Sequence, residues 1–235
     1  VLIPALYGIG WLLAWVLAPL GLPQANVAPV GTAFSLALFL ALQPRWIRLR
    51  WQLRHAWRAL GLLNTARDGR PSLASAMGRG LLWACLLLSL IVAPILLGSW
   101  GNWLGEWSMG QLLDALVLTL GVGFAEEVIF RGWLWGELDR LLGETTALIA
   151  QAVLFSLAHV VALVNLLITQ GPLPMISLVL GLFLLGLALG LRRRLDHGSL
   201  WGAIGLHGGL VGGWFLLQGG WLQISPGAPL WLIGP

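Results

Sequence analysis

Long apolar runs fix the class of this chain before any motif is considered. Gly80–Gly98 and Pro174–Leu191 contain no charged residue, and about 20 consecutive apolar residues suffice for a helix to cross a bilayer. Five further stretches read the same way: Val1–Gly21, Val27–Gln43, Gln111–Phe130, Thr146–Thr169 and Ser199–Gln218. Backbone inside hydrocarbon must satisfy its own hydrogen bonds, so these runs predict an all-α, polytopic membrane bundle of about seven transmembrane helices. Composition agrees. Hydrophobic residues make up 58% and charged residues 9% of the chain, against about 25% charged in a soluble domain. That excludes an ordinary soluble enzyme, and equally a disordered chain. Val1–Gly21 lacks a basic leader and reads as a span rather than a signal peptide. Cys85, the single cysteine, lies in an apolar run and can form no intramolecular disulfide.

Arginine placement sets the expected topology. All 13 basic residues are arginines. Eight (Arg45, Arg48, Arg50, Arg54, Arg58, Arg67, Arg70 and Arg79) follow the second run, Arg131 and Arg140 follow the fourth, and Arg192, Arg193 and Arg194 follow the sixth. With seven spans these regions share one side, and the positive-inside rule places them and the N-terminus in the cytoplasm. The chain then reads as one membrane domain, residues 1–235. Three spans and the Arg-rich loop 44–79 lie in residues 1–109, a core occupies 110–217, and 218–235 forms an interfacial tail. Arg45–Arg58, with its interleaved Trp residues, reads as a headgroup-level segment that binds anionic lipids of the bilayer rather than nucleic acid. In the last run Gly198, Gly202, Gly205, Gly209 and Gly212 recur at helical spacing, predicting one smooth packing face. His207 projects about 200° around the helix from Gly205.

Ionisable groups inside membrane spans are costly, and three clusters therefore stand out. They are Glu126-Glu127-x-x-x-Arg131 at the end of the fourth run, Phe155-x-x-x-His159 in the fifth, and His207 in the seventh. Glu127 and Arg131, four apart, can pair along one helix face and hold the helix end. Glu126 points about 100° away and is left for other work. One carboxylate and two imidazoles on three helices suit hydrolysis by activated water. Glu126 would serve as base, His159 would share the water, and His207 would donate to a developing oxyanion. Phe155, one turn before His159, would limit solvent entry. The same Glu126, His159 and His207 can instead supply three ligands to a catalytic zinc with a fourth position open. The residues alone leave both chemistries open. No HExxH helix or Gly-x-Ser-x-Gly elbow is present.

The order Glu-Glu-x-x-x-Arg, Phe-x-x-x-His and a later Gly-Leu-His preceded by Gly-Ser-Leu-Trp resembles the CPBP family, the CAAX prenyl protease and bacteriocin-processing (Abi) intramembrane proteases. The resemblance covers about residues 110–217. It implies endoproteolysis of a membrane-associated peptide or protein tail near the cytoplasmic face. It also implies that Glu126 and His159 activate water and that His207 serves the oxyanion. The family carries a metalloprotease label, although a metal-free glutamate mechanism is also argued for it. The family has Asn four residues after this last histidine, where this chain has Val211. Two rival classes remain at this stage. One is a weakened or inactive CPBP-like scaffold within a larger membrane complex. The other is a tetrapyrrole-binding membrane protein with His159 or His207 as axial ligand.

Overall fold

The computed structural model describes residues 2–21, 23–63 and 70–229. Arg67 and the last part of the tail, 230–235, lie outside them. The chain divides into two compact units, Val1–Ala59 and Leu60–Pro235.

The first unit is a helical hairpin of α1 (Leu2–Leu17) and α2 (Gln24–Trp46), followed by a wide π-helical turn (Ile47–Trp51) and the short α3 (Ala56–Ala59). Small residues let the two long helices meet. A side chain at Gly10 would collide with Ser35 and the Gly31 carbonyl, while the Ser35 hydroxyl donates to Gly31 O at 2.7 Å. Close backbone approach of this kind takes the place of hydrophobic drive between helices in lipid.

The second unit begins with α4 (Leu73–Leu97), whose N-cap Ser72 accepts from the Ser75 amide. A short strand β1 (Gly101–Trp103) leads to α5 (Met109–Glu127), which runs through a π-helical segment (Val128–Leu134) into α6 (Trp135–Leu142). Then come α7 (Glu144–Leu157), α8 (Val160–Gln170), α9 (Pro172–Leu195) and α10 (Trp201–Leu216). Strand β2 (Leu222–Ile224) returns antiparallel to β1, pairing Asn102 with Gln223.

Three helical segments, Asn26–Trp51, Leu73–Leu97 and Pro172–Leu195, are long and apolar enough to cross a membrane. The pair α7 and α8 makes a fourth if counted as one bent span. The protein is an all-α membrane helix bundle.

Two expectations change on contact with the structure. The run Thr146–Thr169 is not one straight helix: it bends by 54° between α7 and α8, and His159 sits at the break rather than mid-helix. The His159 amide bonds the Ser156 carbonyl, one residue closer than an α-helix requires. That frees the Phe155 carbonyl, which the imidazole Nδ1–H of His159 takes over at 2.9 Å. The glycine face of α10 also divides in two. Gly205 and Gly209 abut α4 at Met77, Leu81 and Ala84, whereas Gly208 and Gly212 abut α5 at Thr119 and Ala115. Gly198 precedes the helix, in a turn with φ +85°. Helix α10 is thereby wedged between two neighbours, with Ala203, Ile204 and Gly205 fully or nearly fully buried.

Candidate active site

Close packing of α10 on α5 brings His207 against the double glutamate. A side chain at Gly123, one turn before the glutamates, would meet Gly208 Cα at 2.8 Å. With both positions bare, the helix axes approach far enough for side chains to bond across the crossing. His207 Nδ1 lies 2.9 Å from Glu127 Oε1, and its Nε2 lies 3.8 Å from Glu126 Oε2. The imidazole is therefore flanked by both carboxylates, one on each ring nitrogen.

Glu127 is bound twice. Its Oε1 also accepts from the Arg131 guanidinium at 2.8 Å, and both side chains are fully buried. The Glu127–Arg131 pair expected from the i, i+4 spacing forms, but Glu127 also holds His207, which helix geometry alone did not suggest. Arg131 extends the network by donating to the Gly186 carbonyl of α9 at 3.4 Å. Buried Gln151 of α7 donates to the same carbonyl at 2.9 Å. Arg131 lies within the π-helical segment, a wide turn often found where a functional residue is re-aimed. Reading the sequence missed Gln151, because a lone Gln in an apolar run carries no spacing signal.

Phe155 is fully buried and sits at the centre of the remaining groups. The Arg131 guanidinium lies 4.2 Å from its ring centroid. His159, His207 and Phe130 meet it edge-on, at centroid distances of 5.1, 5.8 and 5.1 Å. Phe155 thus does more than screen the site: it links the two histidines. His159, half-buried at the helix break, reaches the cluster through Phe155, and forms no hydrogen bond or ion pair with Glu126, Glu127 or His207. The carbonyl on its Nδ1 can only accept, so that nitrogen carries the proton and Nε2 is the basic atom.

This arrangement does not suit the zinc reading. Phe155 meets both imidazoles edge-on. Among the described residues no group of three or more His, Cys, Asp or Glu side chains could hold a metal ion. The tripod of Glu126, His159 and His207 is not assembled.

Glu126 Oε2 is buried and has no hydrogen-bond partner among the described residues. A buried carboxylate oxygen in that state is costly, and within a membrane helix it marks a candidate functional group. Val211, one turn beyond His207 on α10, is half-buried and offers no donor.

The comparisons with known proteins bear on this region. Residues 107–212 match the family described as type II CAAX prenyl endopeptidase Rce1-like. This segment belongs to the CPBP family. The match contains α5 through most of α10, and with them every member of the cluster above. Residues 1–55, outside the CPBP segment, match a domain of unknown function, DUF8676. Neither the curated proteins nor the solved structures searched gave a match to the chain.

Proposed function

We propose that the CPBP segment hydrolyses a peptide bond of a membrane-associated peptide or protein tail, with water activated by Glu126. The observation that carries this reading is the gap between Glu126 Oε2 and His207 Nε2. At 3.8 Å it is too long for a direct hydrogen bond and is suited to a bridging water. The bridged water gives one proton to Glu126 while its oxygen bonds to the substrate carbonyl carbon. The carbon–nitrogen bond then breaks, and Glu126 returns the proton to the departing amine.

His207 is the group placed to receive the charge that develops on the carbonyl oxygen. Glu127 holds its Nδ1–H, which fixes the ring's orientation and directs Nε2 toward the reacting atoms. When the ring carries a proton on both nitrogens, its Nε2–H donates to the oxyanion and keeps its proton, and Glu127 is the adjacent counter-charge. Arg131 holds Glu127 in place through their 2.8 Å pair, so it acts by positioning. His159 touches the cluster only through the Phe155 ring and takes no direct part in this step. On the positive-inside argument, the helix ends that carry Arg140 and Arg192–Arg194 lie on the cytoplasmic side, and cleavage takes place near that surface.

The test is proteolysis by the purified chain of prenylated and unprenylated peptides, and of membrane-anchored tails. Wild type should cleave at least one class, and Glu126→Ala should cleave none. Equal cleavage by both proteins would overturn the mechanism.

A further inference from the structure

Helix α9 ends in three consecutive arginines with different fates. Arg192 forms a two-pronged pair with buried Asp196, at 2.9 and 2.7 Å, and Arg79 adds a third contact to that carboxylate at 3.0 Å. Arg194 pairs with Glu144 at 2.8 Å. Arg193 has no acidic partner within ion-pairing distance among the described residues. Its guanidinium lies 5.1 Å from the Trp135 ring centroid, and its Nε is buried with no acceptor.

Arg193 lines a cavity of about 270 Å³ together with Trp135, Glu144, Arg194, His197 and Gly198. Charges of both signs surround the Arg193 guanidinium: Arg70 and Arg140 repel it, and Asp139 and Glu144 attract it. Arg70 is fixed at the rim by donating to the His197 and Leu63 carbonyls, both at 3.1 Å. A water occupies about 30 Å³, so the cavity has ample room for a phosphate group. A partly desolvated cation without an acceptor is unfavourable, and a phosphate oxygen is the acceptor that planar guanidinium nitrogens fit best.

Location selects the source of that phosphate. Arg193 lies at the charged end of the membrane-spanning segment Pro172–Leu195, next to a tryptophan, at the depth where lipid headgroups lie. We infer that the cavity between α6, α7 and the end of α9 binds the phosphate of an anionic membrane lipid, with Arg193 as its principal ligand and Arg194 as a second. This site is separate from the Glu126–His207 cluster and does not depend on the proposed proteolysis.

The test titrates short-chain phosphatidylglycerol, phosphatidylcholine and inorganic phosphate into the purified full chain and follows the thermal midpoint. Phosphatidylglycerol should raise the midpoint saturably, and the other two should not. Arg193→Gln should weaken the apparent affinity roughly fivefold or more, and Arg79→Gln, half-exposed and outside the cavity, should leave it unchanged. Glu144→Gln removes the exposed competitor for Arg194 and should tighten binding by roughly twofold to fivefold. Equal effects of Arg193→Gln and Arg79→Gln would overturn the site in favour of nonspecific basic attraction. An equal response to inorganic phosphate would overturn the lipid assignment. If Arg193→Gln fails to fold, Glu144→Gln decides alone, and unchanged or weaker binding in that variant would overturn the proposal.

Discussion

Glu127 Oε1 and His207 Nδ1 lie 2.9 Å apart although 80 residues separate them in the chain. This bond joins α5 to α10, and the same oxygen receives Arg131 at 2.8 Å. A carboxylate shared by an imidazole and a guanidinium, fully buried, has both a structural and a positioning role. Substitutions can separate the two.

Glu127→Ala leaves Arg131 buried without its counter-charge, and breaking a buried pair in this way costs about 3–5 kcal/mol. Glu127→Gln keeps an oxygen for one partner but no charge for either. It should retain more of the fold and still lose activity by roughly 10²–10⁴-fold, because the His207 ring is no longer held in its productive tautomer. Thermal melting and kcat/KM, measured on both variants, check the split. A Glu127→Gln protein with full activity would remove the positioning role.

Glu126 should behave in the opposite way. Its Oε2 has no hydrogen-bond partner among the described residues, so Glu126→Gln neutralises a partly buried carboxylate without breaking a hydrogen bond. The thermal midpoint should hold or rise, while cleavage falls by roughly 10²–10⁴-fold. A drop in stability matching that of Glu127→Ala would show that Glu126 is structural as well.

Val211→Asn restores an amide one turn beyond His207, on the same helix. One oxyanion donor is worth about 10²–10³ in rate, and a gain in kcat at unchanged KM is the expected result. The comparison requires initial rates on the same peptide for both proteins.

Helix contact should control the site geometry. A side chain at Gly208 runs into the Thr119 carbonyl, whereas one at Gly121 meets nothing within 4 Å. Gly208→Ala should therefore destabilise by about 1–3 kcal/mol through overpacking, and reduce activity by moving His207 away from the glutamates. Gly121→Ala, on the facing helix α5, should be neutral or slightly stabilising. Paired melting curves and cleavage rates distinguish these outcomes.

The membrane class of this protein is written in its sequence, because the apolar runs are local and leave the backbone few alternatives in lipid. The Glu127–Arg131 pair is legible for the same reason: four residues along a helix bring two side chains together whatever else the chain does. The family was also legible, since three motifs keep their order along the chain. Other features needed the tertiary structure. Helical periodicity gives the angle at which His207 projects, but not which residue it meets. That was decided when Gly123 and Gly208 let α5 and α10 close on each other. The break at His159 depends on a ring nitrogen displacing a backbone donor at Phe155, a competition that apolar patterning does not register. The unequal fates of Arg192, Arg193 and Arg194 likewise follow from where Asp196, Glu144 and Trp135 fold to. Sequence spacing fixes neighbours within one helix, and only packing fixes neighbours between helices, where the candidate site of this protein lies.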